Sequence, residues 1–127
     1  MKEKLTKLLN NAYAPYSNYK VAAIVVMHDG EEFSGVNVEN ASYGATICAE
    51  RNAINNAIAS GYKPKSFKAL YLMVASDKLA FPCNLCRQTI AEFFDMQADL
   101  YLMTETTQEH YKMSDILVHV FTSEDLK

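Results

Sequence analysis

The three cysteines of this 127-residue chain sit in two short segments, Cys48-Ala49-Glu50-Arg51 and Pro82-Cys83-Asn84-Leu85-Cys86-Arg87-Gln88, and no other feature narrows the possible folds as much. An odd count cannot close into a fully paired disulfide framework. The chain must therefore be held by a core. Half of its residues are hydrophobic, which is enough material for one domain of this length. Met1-Lys2-Glu3-Lys4 is polar and charged, so no secretory leader is expected. The longest apolar run, Val21–Met27, is far shorter than the ~20 residues of a membrane-spanning helix. The expectation is a reducing, cytoplasmic compartment, where cysteines act as core fillers, metal ligands or catalytic groups. Twelve basic against fifteen acidic residues give a formal charge of −3, which argues against nucleic acid as a partner.

The pattern along the chain predicts an α/β fold. Leu5, Leu8, Leu9 and Ala12 recur at helical spacing, so a helix is expected over Lys4–Ala14, ended by Pro15. Val21–Met27 reads as a strand buried on both faces. Asp29-Gly30 is a hairpin signal, and Glu32–Asn37 returns as a second strand. A helix is expected from Cys48 to Ser60, closed by Gly61. A strand at Lys68–Ala75 follows, then a helix from about Cys83, with Pro82 just ahead. Leu100–Met103 reads as a strand and Glu109–Lys112 as a short final one. Met113–Phe121 fits either a strand or a helix. Strand–helix alternation implies a parallel core with an antiparallel hairpin at its edge. The architecture expected is a single domain over residues 1–127, a three-layer αβα sandwich around a mixed central sheet.

The cysteine positions point to metal. The thiolate is the metal-binding species. Cys83 and Cys86, three apart at a helix start, share one face. Cys48 opens the other helix. A helix N-terminus carries partial positive charge and unpaired N–H groups, which favour thiolates. Two such termini aimed at one spot can gather three sulfurs around one ion. Three protein ligands leave a tetrahedral zinc one open position, the arrangement of a catalytic site. His28, His110 and His119 fall in a predicted turn and in the C-terminal third, and are not expected to be ligands. Glu50, two residues after Cys48, is placed to move a proton for a zinc-bound water. Three thiolates leave the ion net negative, which weakens acidification of that water. Arg51 and Arg87 are candidates to offset this by hydrogen-bonding the sulfurs. A Cys-x-Glu element followed by Pro-Cys-x-x-Cys is the signature of zinc deaminases.

The whole chain resembles the small homotetrameric cytidine deaminase family. The resemblance is carried by Tyr16–Ala23, Gly35–Gly44, Cys48–Arg51, Pro82–Gln88 and Ile116–Leu126. It implies one Zn²⁺ per subunit on Cys48, Cys83 and Cys86, with Glu50 as the acid and base. It implies that Asn37 and Glu39 hold the ribose, and residues two apart on a strand do face the same way. It places Tyr19 beside the pyrimidine and the backbone of Ala49 on the base's carbonyl and ring-nitrogen edge. It brings Tyr43 and Phe121 in from neighbouring subunits. Tyr19 stands where the family usually has Phe, and Ala22 where it has Gly. The reaction implied is hydrolysis of cytidine and deoxycytidine to uridine and deoxyuridine, in pyrimidine salvage. Zinc hydroxide attacks C4 while Glu50 protonates N3 and then helps expel ammonia. Asn37 and Glu39 weigh against a relative acting on free cytosine or a blasticidin-type antibiotic. The negative charge and the absence of Trp weigh against a polynucleotide editor. A structural zinc or redox module has no use for Glu50.

Overall fold

The β-branched run Val21–Met27 forms strand β1, and Glu32–Val36 returns as β2, in a computed structural model that describes residues 1–127. Asp29-Gly30 makes the turn between them. Gly30 lies at φ 92°, a left-handed conformation that a Cβ opposes, and its N–H donates to the Met27 carbonyl at 2.9 Å. The remaining elements are α1 (Lys2–Leu9), α2 (Ala49–Ala59), β3 (Phe67–Val74), α3 (Asn84–Phe93), β4 (Phe94–Met103) and β5 (Gln108–Lys112).

The five strands form one sheet in the order β2-β1-β3-β4-β5. β1 is antiparallel to both β2 and β3, β3 and β4 are parallel, and β5 is antiparallel to β4. The parallel core expected from strand–helix alternation is thus reduced to one pair. The reason is where the hairpin lies. β2 and β3, joined by α2, do run in the same direction, because each is antiparallel to β1. β1 lies between them, so the two strands of that crossover never pair.

Both faces of the sheet are covered, unequally. Nineteen buried apolar residues, among them Ile54, Phe67, Leu70, Ile90, Phe94 and Leu100, fill the face under α2 and α3. Five, Leu5, Ala22, Ile24, Met73 and Met103, lie under α1. This is the expected αβα sandwich. α1 ends five residues earlier than expected, at Leu9 rather than Ala14. Asn10-Asn11 forms a turn, and Tyr13 is drawn into bridging hydrogen bonds, its N–H donating to Asn37 O at 3.0 Å and its carbonyl accepting from Glu39 N at 2.9 Å. β4 begins six residues earlier than expected, directly from the end of α3, with Phe94 paired to Phe67. Met113–Phe121 is neither strand nor α-helix. It is a 3₁₀ turn over Met113–Asp115 followed by irregular chain.

One contact fixes α2 on the sheet. At Gly35 the helix backbone comes so close that a Cβ would stand 2.4 Å from Ala53 N and 2.6 Å from Ala49 O. Beside it, Asn52 Nδ2 donates to Val36 O at 2.8 Å and Asn56 Nδ2 to Ser34 O at 3.4 Å. Asn37 N–H, in the same strand direction, turns inward to Val21 O. Alternation along the strand then turns the Ser34 and Val36 carbonyls outward, so α2, lying over the face of β2, reaches its outer edge with Asn52 and Asn56. Gly35→Ala is expected to cost about 3 kcal/mol, the upper end of core overpacking, because the obstructing atoms are backbone. Urea unfolding of the two proteins measures it, and an unchanged midpoint would contradict the close contact.

Candidate active site

The three cysteines converge as their spacing predicts. Cys48 is the N-cap of α2, Cys83 the N-cap of α3, and Cys86 lies in the first turn of α3. Their sulfurs all lie within 4.8 Å of one another, and Cys48 Sγ and Cys83 Sγ are 3.9 Å apart. A tetrahedral ion with Zn–S of ~2.3 Å sets its sulfurs about 3.8 Å apart. No histidine or carboxylate atom joins the cluster, so an ion held here keeps one position free. His110 is elsewhere, with Nε2 2.7 Å from Asp99.

The donor set fits a cation electrostatically. The hydrogen bond from Cys86 pulls the Cys48 thiol down to about 5, with Cys83 and Arg51 adding to the pull against the effect of burial. The same bond, with burial and the negative charge of Glu50, pushes Cys86 upward. Cys48 is thus favoured as the thiolate while Cys86 is held as the thiol that donates to it. Arg51 stands beside Cys48 and Cys86. Burial works against its charge, the Cys48 sulfur favours it, and the balance is upward. Its Nη2 donates to Thr46 O at 3.2 Å, and its buried Nε has no nitrogen or oxygen partner. Arg87 is placed differently from the sequence expectation. Nε donates to Pro82 O and Nη1 to Ile116 O, both at 2.9 Å, so it braces the Cys83 turn against the C-terminal segment rather than facing a sulfur through these groups.

Glu50 lies in the first turn of α2 and is only 5% exposed. Burial raises its carboxyl to about 7 and the charge of Cys48 adds to this, while its own backbone N–H and Arg51 hold it back. Glu50 opens onto a cavity of about 470 Å³ that Cys48 and Cys83 also line. Tyr19, Asn37, Glu39 and Ala49 border the same space. Burial, then the charge of Glu50, raises the Tyr19 hydroxyl. Asn37 and Glu39 extend past the end of β2, where Val38 bridges to Ile47 and Tyr13. The extended backbone puts both side chains on the cavity side, as a period of two requires.

Tyr43 and Phe121 do not reach this cavity. Tyr43 is 79% exposed in a 3₁₀ turn, beside Tyr16 at 6.4 Å between rings. Phe121 is 54% exposed near the start of α3, its carbonyl accepting from Gln88 Nε2 at 2.8 Å.

The sequence from one end towards the other carries the same message. Residues 1–103 match the family model described as the cytidine and deoxycytidylate deaminase zinc-binding region. The chain belongs to the cytidine deaminase family. It is 41% identical over 120 residues to a probable cytidine deaminase of Dictyostelium discoideum, covering 91% of this chain and 77% of that one. It is 37% identical over 121 residues to a cytidine deaminase of Sporosarcina psychrophila, covering 94% and 88%. In three dimensions it resembles the crystal structure of a cytidine deaminase from Burkholderia pseudomallei. The TM-score is 0.89 at 38% identity, with 94% of each chain covered. Zinc is the family's metal, and the three-sulfur cluster is where this member could hold it.

Sequence reasoning did not single out several cavity residues. Leu72 and Val74 wall the cavity from the end of β3, with Phe81 from the loop before Pro82 and Ser17 and Thr46 from turns. The available signal was topological. Ligands of α/β sheets bind outside the carboxyl ends of the strands, and Val74 ends β3.

The raised carboxyl of Glu50 makes a stability prediction. Between its ordinary 4.5 and about 7, the folded chain holds a proton that the unfolded chain has lost. Stability therefore falls as pH rises through that window. In chelator-treated protein, Glu50→Gln should be more stable than the parent by about 3 kcal/mol at pH 8, the gap closing towards pH 4. Denaturant midpoints across that range test this, and a pH-independent difference would refute it.

Proposed function

We propose that this family member hydrolyses cytidine and deoxycytidine, with water, to uridine or deoxyuridine and ammonia. The observation that carries the reading is a buried carboxylic acid, Glu50, beside a three-sulfur cluster at one nucleoside-sized cavity. Cys48, Cys83 and Cys86 hold one Zn²⁺ per subunit. Zinc held there would supply Lewis acidity that lowers the pKa of a bound water towards neutral. Glu50, its carboxyl raised to about 7 by burial, is poised both to accept and to give a proton. It takes a proton from the attacking water and delivers it to ring N3; it then takes the proton of the new C4 hydroxyl and passes it to the 4-amino group, which leaves as ammonia as the C4 carbonyl forms.

Binding is divided among the cavity residues. Tyr19 lies against the pyrimidine, and the α2 first-turn amide at Ala49 meets the carbonyl edge of the base. Amides of a first turn have no partner within the helix. Asn37 and Glu39 take the sugar hydroxyls. Arg51, beside Cys48 and Cys86, offsets the charge of three thiolates. Arg87 supports the Cys83 turn from behind.

The exposure of Tyr43 and Phe121 supports a homotetramer in which these rings complete the cavity of a neighbouring subunit. Free thiols as metal ligands suit a reducing, cytoplasmic setting. No helix is long and apolar enough to cross a membrane. The placement in pyrimidine salvage rests on the free nucleoside as substrate.

Three measurements test this. The ultraviolet change from cytidine to uridine should appear with purified protein, vanish with a strong chelator and return with zinc. Glu50→Ala should retain about one zinc per chain and lose at least 10³-fold in kcat, on the order of a general acid–base contribution. Retained turnover would end the acid–base assignment. The active species in sedimentation should be larger than a monomer, and an active monomer would exclude sharing of Tyr43 and Phe121.

A further inference from the structure

We propose that Ser17 is a positioning residue for the sugar-binding carboxylate of Glu39: its hydroxyl, anchored on the backbone N–H of Tyr19, sets which position of Glu39 is open to the sugar. This rests on the reading of Glu39 as a sugar ligand given above.

The turn Tyr16–Tyr19 is built around Glu39. Glu39 Oε1 accepts from Tyr16 N at 2.9 Å and from Ser17 N at 3.1 Å. Glu39 Oε2 accepts a short hydrogen bond from Ser17 Oγ. An ionised carboxylate offers about four acceptor positions. Three are taken, two on Oε1 and one on Oε2. A single position remains, on Oε2, for a hydroxyl arriving from the cavity. The Ser17 hydroxyl, with the two backbone N–H groups, holds the Glu39 carboxyl below its usual range, so it is an acceptor only.

The same oxygen reaches the base side. Ser17 Oγ accepts from Tyr19 N at 3.0 Å. The Tyr19 carbonyl accepts from Asn37 Nδ2 at 2.7 Å, and Asn37 Oδ1 accepts from Val21 N at 2.9 Å. Both peptide groups of Tyr19 are thereby fixed, one by Ser17 and one by Asn37. Between Ser17 and Tyr19, Asn18 takes φ 58°, a left-handed conformation that Asn tolerates, and its N–H donates to Ala14 O at 2.9 Å. The turn is therefore set by its own backbone. The Ser17 hydroxyl is free to serve as the link between Glu39 and Tyr19. Removing it frees a second position on Oε2 and lets the carboxylate turn.

Steady-state kinetics on Ser17→Ala, Ser17→Thr and Glu39→Gln test this, with cytidine and 2′,3′-dideoxycytidine as substrates. Ser17→Ala should raise KM for cytidine about tenfold, with kcat within about twofold, as expected for a lost hydrogen bond to a charged group that serves ground state and transition state alike. On dideoxycytidine, which lacks the 2′ and 3′ hydroxyls, Ser17→Ala and the parent should have equal kcat/KM, and the same assay reports the active fraction of each preparation. Ser17→Thr should recover the cytidine KM. Ser17→Ala added to Glu39→Gln should cost little more than Glu39→Gln alone. If Glu39→Gln raises the cytidine KM and Ser17→Ala does not, the inference fails and the sugar reading stands. An equal loss on both substrates would make Ser17 a structural residue only. An unchanged cytidine KM in Glu39→Gln would remove the sugar reading and the inference with it.

Discussion

Everything at the site is referred to the seat of α2 on β2. The helix approaches the strand backbone to backbone, which only a residue without a Cβ permits at position 35. Asn52 and Asn56 then lock its rotation by hydrogen bonds to strand carbonyls. A helix fixed in translation and rotation presents its first turn at one point. That turn carries Cys48, Ala49 and Glu50. A stiff element is the right carrier for such a group, since small displacements of reacting atoms are costly. α3 meets it from the other side of the cluster with Cys83 and Cys86, and Arg87 ties that start to the chain after β5.

The second constraint is charge. Three sulfurs and a carboxyl group share a small volume, so a negative charge on one disfavours a charge on its neighbours. The consequences are opposite for neighbours in sequence. Cys48, hydrogen-bonded by Cys86 and close to Arg51, is driven towards the thiolate, while Glu50, two residues on and buried, is driven towards the neutral acid. Environment, not residue type, divides the roles. Helix N-termini and one guanidinium make the crowding tolerable.

Much of this was legible in the sequence because the informative residues are local to helix starts. Cys-x-x-Cys behind a proline, and Cys-x-Glu ahead of a helical stripe, determine direction and spacing without knowledge of the fold. The α/β layering followed from periodicity in the same way. What escaped was non-local. The hairpin's partner could not be read, so a parallel core was expected where β1 in fact lies between β2 and β3 and only β3 and β4 pair in parallel. The end of α1 was misjudged because Tyr13 answers to Asn37 and Glu39, far along the chain. Arg87 was given to the sulfurs because it follows one in sequence, yet its reach is to Ile116. Ser17 carried no signal by type. Its meaning comes from a carboxylate 22 residues away.

The edges of the sheet differ. β2 is sealed by amide side chains of α2, which occupy the carbonyls another strand would need. β5, at the opposite edge, is five residues long and carries Glu109, His110 and Lys112, the short charged kind of strand that resists pairing with a second chain. Both edges of the sheet are therefore of the kind that disfavours added strands from another copy. Edge-to-edge strand pairing, the contact through which β-proteins most often begin to aggregate, is thus opposed at both ends of the sheet.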